Sequence, residues 1–585
     1  MTRARIFEGL DRVAESPWFA YGSILAIQAK LLCGIWRYRD LSPGDTSNYF
    51  IQAQAWADHR WVDPLFSPLY TSLWGTLLSF VHDIYATTIA HRVIIVLLVS
   101  LLVLVVLRRL LSPGIAWLIA VWWAVLPVNY DTLVEVHLFS LIPVLIAALV
   151  ALRWSGRGMR AAVFGVLLVG AILQRNELVV AAGVWLGICV VYELGERRGQ
   201  ERGTPVLRRV APYALALVAS FLLLLLSISR APQELSVGEW VDRAQYKQDF
   251  ALCQHYAVGY QQRHHADGNI AWQHCQMFMQ RDFDSPTPSF FEALASNPSA
   301  MATHFGWNLR LSPYAAQLAL FDGISGSRRH DPDYIPVHEG SALVLVASLA
   351  LAVFLAVGLW LLWVRRRHWW EDWIRERAWG WAVLGSVGAM SIWVGITTHP
   401  RPSYLFPLSF SGMAVIGMCA MAIVDRWPGL GRLRAGLPVA AVLLVVLVPN
   451  HYRSGYSNPL FGPGRPVADM VSRLEPYRDR LAGSDTRLLA RNAYEACNYL
   501  EPVSPCTPEQ IGLIGPGTAT PAVWVDRQGI DLIYADEEML SKASTRRILD
   551  RLQQEGWRRI APAQPGTGWL LLGRVPGPPA NAVAR

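Results

Sequence analysis

The sequence predicts a polytopic α-helical membrane protein with about 11 transmembrane helices and a small α/β extracytoplasmic domain at its C-terminal end. Three observations predict this fold class. Of the 585 residues, 53% are hydrophobic and only 16% are charged, whereas soluble domains carry about 25% charged residues. Long apolar runs alternate with short arginine-rich connectors, and the composition becomes that of a soluble domain after Asn450.

A membrane span needs roughly 20 apolar residues, and about eleven runs in the chain qualify. They begin near Trp18, Ala86, Pro113, Val136, Ala161, Val179, Val210, Ser341, Ala378, Ser403 and Ala435. If each run crosses once, the arginine-rich connectors all fall on one side, which is expected to be cytoplasmic. These connectors account for the formal charge of +8, so no nucleic acid partner is predicted.

An odd number of spans, with a cytoplasmic N-terminus, places residues 37–85, 229–340 and everything after Asn450 outside. We therefore predict a transmembrane domain at 1–450 and an extracytoplasmic soluble domain at 451–585. The expected location is the inner (plasma) membrane of a bacterial cell, multi-pass, with the C-terminal domain in the periplasm. No cleavable signal peptide is evident, because the first apolar run is long enough to span.

The cysteines fit this topology. Cys253 and Cys275 fall in one external segment, and Cys497 and Cys506 fall in another. External compartments are oxidising, so two local disulfides are predicted, Cys253 with Cys275 and Cys497 with Cys506.

Several segments outside the spans have the periodicity of regular structure. Two short amphipathic helices are predicted in the first external loop, and both are expected to lie in the membrane interface. "NPSAMATHFGWNLRLSP" is expected to contain a helix that returns to the bundle. In the C-terminal domain "TRLLARN", "AVWV" and "IDLIYAD" predict strands, and "EEMLSKASTRRILDRLQQEG" predicts an amphipathic helix.

Asp45 is the first candidate catalytic residue. A carboxylate beside interfacial helices can meet both a lipid headgroup and a water-side substrate, and can act as a general base on an acceptor hydroxyl. The alternative is that Asp45 caps the following helix. Tyr49, in the same segment, is a candidate substrate-binding residue.

Arg175 and Glu177 interrupt an otherwise apolar stretch in "AILQRNELVV". Charges in membrane segments are costly and point to function, so both are candidate substrate-binding residues. The alternative is a simple external turn in which Arg175 and Glu177 pair with each other.

"THPRPSYLFPL" places His399, Arg401 and Tyr404 between two spans. The arginine guanidinium group is planar and permanently charged, which suits phosphate, so these three residues are candidate substrate-binding residues. The alternative is an arginine that contacts ordinary lipid headgroups.

Glu135, in "NYDTLVEVHLFS", is a second candidate catalytic acid, while its neighbour Asp131 is better explained as part of a solvated turn. The external histidines have no familiar zinc spacing, so no metal site and no cofactor are predicted, and a divalent cation is not supported. His304 is the exception among these histidines and is a candidate substrate-binding residue, because it lies in the predicted returning helix.

Taken in order, "GDTSNYFIQAQAW", "FSPLYTSLWG", "QRNELVV", "NPSAMATHFGWNL", "HPRPSYLFPL" and the C-terminal domain resemble the GT-C superfamily of integral membrane glycosyltransferases. The similar branch includes protein O-mannosyltransferases and lipid A aminoarabinose transferases. The resemblance implies a polyprenyl-phosphate sugar donor and an extracytoplasmic glycan, lipid or protein acceptor. The resemblance also implies that an acid of the first external loop lies in the active site, and in this chain that acid is Asp45. The arginine of the family's late motif corresponds to Arg401, in "HPRPSYLFPL". Many relatives have a second acid where Thr46 stands here, which argues against a metal role.

The chemistry is consistent with this resemblance. A sugar on a lipid phosphate has an anionic leaving group that cationic side chains can stabilise, and a nearby carboxylate can take the acceptor proton. Two alternatives stay open, an O-antigen polymerase/ligase-like enzyme and a non-enzymatic transporter or flippase. A transporter favours polar groups at mid-membrane, whereas here they gather at the ends of spans.

Overall fold

The computed structural model of the chain describes two compact units. The first consists of Met1–Arg37, Gln52–Phe80 and Ile89–Gly462, and the second of Tyr38–Ile51, Val81–Thr88 and Pro463–Arg585. The residues described are 13, 15–35, 45–81, 84–130, 135–197, 206–230, 236–264, 274–326, 340–448, 466–477, 486–490, 507–510, 525, 529–541, 543–562 and 568–574. The predicted domain boundary at residue 450 stays a prediction.

Helices dominate the chain up to residue 448. They are α1 (Pro17–Leu32), α2 (Asp45–Ala57), α3 (Pro68–Val81), α4 (Ile84–Leu110), α5 (Pro113–Val125), α6 (Glu135–Phe139), α7 (Leu141–Arg153), α8 (Gly156–Leu173), α9 (Leu178–Arg197), α10 (Val206–Ser229), α11 (Val237–His264), α12 (Cys275–Phe283), α13 (Phe290–Ser296), α14 (Pro298–Phe321), α15 (Ala342–Val364), α16 (Arg366–Trp369), α17 (Arg375–Thr397), α18 (Pro402–Arg426) and α19 (Leu437–Leu447).

Eight helical segments in the described part of the chain are long and apolar enough to cross a membrane. They are Ala86–Leu110, Val136–Arg153, Gly156–Leu173, Leu178–Gly195, Arg209–Ser229, Ala342–Val364, Arg366–Thr397 and Pro402–Arg426. Helices satisfy their own backbone groups, which a segment surrounded by lipid must do. The predicted class, a polytopic α-helical membrane protein with a small α/β domain, is confirmed.

Three of the eleven predicted spans are shorter than expected. Helices form at all three places, but α1, α5 and α19 contain 16, 13 and 11 residues. Helix α5 stops because Pro127 starts a 3₁₀ turn, and α19 starts only after a 3₁₀ segment, Pro428–Gly436. Hydropathy reports how apolar a run is, but not where its helix ends.

Helix α17 lies at the centre of the bundle, where it packs against α7, α9 and α18. One glycine in α17 and one in α18 allow close packing against neighbouring segments. A Cβ atom at Gly380 would lie 2.5 Å from Leu152, and one at Gly417, in α18, would lie 2.3 Å from Leu111. Helices α10 and α15, in contrast, bury little of their surface in the protein, which suits side chains that face lipid.

The segment between α10 and α15 forms its own small core around a disulfide. The predicted bond between Cys253 and Cys275 is confirmed, and it joins α11 to α12. Tyr256, Met279 and Met301 pack around it. The expected returning helix is α14, which packs against both α17 and α18.

The two predicted amphipathic helices of the first external loop are also present, as α2 and α3. They approach each other closely at Gly75, where a Cβ atom would lie 2.3 Å from the carbonyl oxygen of Ala53 and 2.8 Å from Cβ of Trp56. A hydrogen bond also joins the two helices at this point, because Trp56 Nε1 donates to Thr76 Oγ1 at 2.9 Å.

The second unit contains a five-stranded sheet with the strand order β2-β1-β3-β5-β4. Its elements are α20 (Pro466–Leu474), β1 (Arg487–Ala490), β2 (Thr507–Gln510), β3 (Leu532–Ala535), α21 (Glu537–Ser541), α22 (Ala543–Gln554), β4 (Trp557–Ala561) and β5 (Leu570–Arg574). Strand β1 pairs in parallel with β2 and β3, and β5 pairs antiparallel with β3 and β4.

The predicted strands in "TRLLARN" and "IDLIYAD" are confirmed as β1 and β3, and the predicted amphipathic helix forms as α21 and α22. Of "AVWV", Val525 alone is described, and it is helical. The predicted Cys497–Cys506 disulfide falls outside the described residues. Leu549 and Leu552 of α22 bury their side chains with Leu489 and Ile533 of the sheet, so this face of the helix covers the sheet.

The close contact at Gly75 leads to a testable prediction. In a helix, replacing glycine by alanine normally stabilises by about 1 kcal/mol, but at Gly75 the new methyl group must displace backbone. We expect Gly75→Ala to destabilise the protein by about 1–3 kcal/mol, measured by thermal unfolding in detergent. The matched control is Gly183→Ala in α9, where no atom lies within 4 Å of the added Cβ. Equal stability of the two variants would contradict the prediction.

Candidate active site

The turn between α8 and α9 is held by hydrogen bonds from other segments. Gln174, which ends α8, donates from Nε2 to the carbonyl of Val136 at 3.1 Å. Ser67 is buried in a left-handed conformation with φ of 50°, and its hydroxyl donates to the carbonyl of Gln174 at 2.7 Å. These two hydrogen bonds therefore fix the position of the next residue, Arg175.

Arg175 and Glu177 form an ion pair within this turn, as one of the two sequence interpretations proposed. The Nε atom of Arg175 donates to Glu177 Oε2 at 3.1 Å, and Nη2 donates to Oε1. Burial acts to raise the pKa of Glu177, but the charge and hydrogen bonds of Arg175, with a contribution from Lys247, bring this pKa below its ordinary value. Glu177 is therefore ionised at neutral pH.

The second turn connects α17 to α18. His399 is fully buried, and Arg401 is the residue that precedes α18, with Pro402 in the first helical position. The backbone N–H of Arg401 donates to the carbonyl of His399 at 2.8 Å. Tyr404 follows in the first turn of α18, so three of the predicted substrate-binding residues lie in one compact turn.

The two turns meet at the ring of Tyr404. The guanidinium carbon of Arg175 lies 5.7 Å from the ring centroid, and that of Arg401 lies 5.9 Å from it. Two histidines contact the same ring by their edges, His137 at 4.9 Å and His255 at 5.8 Å between centroids. The sequence predicted Arg175 and Arg401 separately, and the fold brings them to one aromatic side chain.

His255 belongs to this site, although it was not among the candidate residues predicted from the sequence. Its ring stacks on that of His399 at 6.3 Å, and its Nε2 lies 3.4 Å from the Tyr404 hydroxyl. The side chain is buried. Burial, followed by the charges of Arg401 and Arg175 and the neighbouring His399, holds the pKa of His255 well below its ordinary value, so the ring is neutral at pH 7.

Helix α11, which carries His255, is attached to the segment between α2 and α3. Arg243 lies 3.2 Å from Asp63, whose other oxygen accepts a hydrogen bond from the backbone N–H of Leu65 at 2.9 Å. One helical turn later, Lys247 donates to the carbonyl of Leu65 at 2.6 Å and lies over the ring of Phe66. Two polar contacts, one cation–π contact and the disulfide thus fix helix α11, which carries His255.

His304 is fully buried in α14, and its Nε2 lies 3.1 Å from the carbonyl oxygen of Thr397. Burial lowers the pKa of His304 to about 4, opposed by this backbone hydrogen bond and assisted by the charge of Arg263. The structure gives the side chain a backbone partner at the end of α17. The predicted role in substrate binding stays a prediction.

Three predicted site residues have no described geometry next to this cluster. Asp45 is the first residue of α2 and Glu135 the first residue of α6, but both side chains, like all of Asp131, lie outside the described residues. Tyr49 lies in α2 within the second compact unit. Among the described residues, no group of three or more His, Cys, Asp or Glu could hold a metal ion.

The arrangement is suited to an anionic group. Two arginines, together with His137 and His255, surround one half-buried tyrosine, and Glu177 compensates part of the positive charge. Guanidinium groups bind phosphate oxygens through charge-assisted hydrogen bonds, and a neutral imidazole can donate one more. Both turns lie at the ends of helices that are long and apolar enough to cross a membrane.

No protein-family model matches the chain, and no curated protein matches it. Two crystal structures of the Archaeoglobus fulgidus oligosaccharyltransferase are similar to it. In one, the enzyme is tethered via a disulfide bond to an acceptor peptide containing the NVT sequon. The TM-score is 0.43 at 12% sequence identity, over 96% of this chain and 74% of that chain. In the other, the enzyme is in complex with Zn and sulfate, and the TM-score is 0.38 at 12% identity, over 89% of this chain and 68% of that chain. Scores this low carry no argument about residues or activity.

The buried histidines lead to a prediction of pH-dependent stability. A histidine with a folded-state pKa of about 4 and an unfolded-state pKa near 6.5 takes up its proton more readily when unfolded. The stability that it contributes is therefore complete above about pH 6.5 and is lost as the pH falls towards 4. We expect the free energy of unfolding to fall by about 2 kcal/mol between pH 7.5 and 5 on account of His304 alone.

The variant His304→Gln keeps an N–H donor and does not titrate, so it should lose less stability over this pH range. The measurement is the thermal unfolding midpoint in detergent at both pH values. The matched control is His264→Gln, at an exposed position at the end of α11, which should keep the wild-type pH dependence. The same pH dependence in wild type and His304→Gln would show that His304 is not responsible.

Proposed function

We propose that the chain is a membrane glycosyltransferase of the GT-C type, which transfers a sugar from a polyprenyl-phosphate donor to an extracytoplasmic glycan, lipid or protein acceptor. The observation that carries the proposal is the convergence of Arg175 and Arg401 on the ring of Tyr404, at the ends of helices able to span a membrane. This is where the phosphate of a membrane-anchored donor would lie.

The proposed chemistry depends on the charge of the leaving group. When the bond between the sugar and the phosphate oxygen breaks, negative charge develops on that oxygen, and fixed cations lower the energy of the transition state. Arg401 is proposed to bind the phosphate directly. Arg175 already holds Glu177, so we propose that it contributes charge and that the pair orients the donor.

A neutral histidine suits this proposal better than a charged one. His255, whose pKa is lowered by burial and by the charge of Arg401, is proposed to contribute a hydrogen bond to a phosphate or sugar oxygen of the donor. A neutral imidazole whose pKa is lowered by burial and by two arginines is a weak base. The proton of the acceptor hydroxyl is therefore assigned to a carboxylate, and Asp45 is the proposed general base, with Glu135 as a second acid that positions the acceptor.

The role of Asp45 is tested by transfer activity. Purified full-length protein is incubated with a polyprenyl-phosphate sugar and candidate acceptors, and product formation is compared with that of Asp45→Asn. Removing a general base typically costs 10²–10⁴-fold in rate, so we expect transfer to be lost while the protein remains folded. Asp58→Asn is the matched control, because Asp58 lies in the same loop, is exposed and pairs with Arg60 at 2.9 Å. Full activity of Asp45→Asn would remove this residue from the mechanism.

The role of Arg401 is tested by donor binding. Loss of a charge-assisted hydrogen bond costs about 1.5–3 kcal/mol, so Arg401→Ala should weaken the binding of polyprenyl phosphate by roughly 10- to 100-fold. Arg310→Ala is the control, since Arg310 is exposed on α14 and lies over the ring of Trp307. Affinity can be measured by titrating the lipid into protein in nanodiscs. An unchanged dissociation constant for Arg401→Ala would contradict the assignment.

A further inference from the structure

The carbonyl groups at the C-terminal end of α17 receive hydrogen bonds from a different helix. The last carbonyls of any helix have no partner within it. At the end of α17 three consecutive carbonyls, those of Ile396, Thr397 and the capping residue Thr398, all accept from side chains of α14. The hydroxyls of Thr397 and Thr398 bond back to the preceding turn and do not serve these groups.

The two donors are His304 and Asn308, which lie one turn apart on α14 and are both fully buried. Asn308 Nδ2 lies 2.9 Å from the carbonyl oxygens of both Ile396 and Thr398, so each of its two N–H groups has an acceptor. His304 Nε2 lies 3.1 Å from the carbonyl oxygen of Thr397. Because that oxygen can only accept, we assign the proton of the neutral ring to Nε2, which also lies 3.2 Å from Asn308 Nδ2.

Only two residues separate these carbonyls from Arg401. The first, His399, is fully buried, and the second is Pro400, whose ring restricts its backbone. The backbone N–H of Arg401 donates to the carbonyl of His399 at 2.8 Å, and α18 begins with the next residue, Pro402. A connection this short and restricted transmits a displacement of the end of α17 to the guanidinium group of Arg401.

The donors also act on the electrostatics of the site. The C-terminus of a helix carries a partial negative charge, which comes from its unpaired carbonyls. In α17 these carbonyls directly precede the turn that carries Arg401, where negative charge would repel an anion. Three N–H groups directed at them reduce that charge without adding a further cation to the cluster of Arg175 and Arg401.

We propose that His304 and Asn308 are positioning residues, which cap the end of α17 from α14 and thereby hold Arg401 against Tyr404 for binding of the donor phosphate. This inference rests on the proposed function. On this inference, His304 and Asn308 influence donor affinity by positioning Arg401. Neither residue needs to contact the substrate.

The first test is a double-mutant comparison that measures the dissociation constant of polyprenyl phosphate for the full-length protein in nanodiscs. Asn308→Leu removes both donors at similar volume and should weaken binding about tenfold. In the background of Arg401→Ala the same change should have less than about a twofold effect. Equal effects in both backgrounds, or no effect in either, would overturn the positioning role.

A second pair of variants separates the hydrogen bond from the packing. His304→Leu should weaken binding in the same way, whereas His304→Gln, which keeps a donor at the position of Nε2, should restore most of the affinity. Thr303→Val, at an exposed neighbouring position on α14, is the control and should bind like wild type. Equal loss in the Gln and Leu variants would overturn the proposal.

Hydrogen exchange distinguishes failure of this inference from failure of the proposed function. In Asn308→Leu the backbone amides of residues 398–406 should exchange faster, while those of residues 174–180 should not change. If the wild-type protein binds no polyprenyl phosphate, the proposed function fails. Hydrogen exchange then still tests whether Asn308 caps the end of α17. Unchanged exchange at 398–406 would overturn the cap whatever the ligand.

Discussion

Helices that end inside the bundle leave carbonyl groups without intrahelical partners. The side chains that donate to these carbonyls fix the positions of the two turns that carry Arg175 and Arg401. At the end of α8 the hydroxyl of Ser67 donates to Gln174, whose own amide donates to Val136. At the end of α17, Asn308 and His304 act in the same way. Where lipid excludes water, each unpaired backbone group costs several kcal/mol. The need to pair these groups therefore determines where the arginines lie.

The parts of the fold and the site that could be predicted from the sequence are those with a local signal. A hydropathy pattern predicts helices because lipid forces the backbone to bond internally. Arg175 was predicted because a charge that interrupts an apolar run is costly, and Arg401 because a guanidinium group between two spans suits phosphate. The Cys253–Cys275 disulfide could be predicted because its cysteines are near neighbours in one external segment. The Cys497–Cys506 pair had the same signal but lies outside the described residues.

The rest depends on which segments meet in three dimensions. Ser67, His255 and Asn308 are ordinary polar residues in their local sequence, and each gains its role from a partner on a distant segment. The contact between His255 and Tyr404 joins residues 149 positions apart, and no periodicity records it. Lengths were predicted less well than positions, since α1, α5 and α19 form where expected but are shorter than a full span.

The same burial that fixes the histidines also decides what they can contribute. Burial and neighbouring arginines keep His255 and His304 neutral near pH 7, whereas an arginine stays charged at any physiological pH. For a phosphate site of the kind proposed, the positive charge near pH 7 is then supplied by Arg175 and Arg401, which themselves do not titrate in the physiological range. Acidification would add charge to buried rings beside those cations, so it would destabilise the folded protein while adding positive charge to the site.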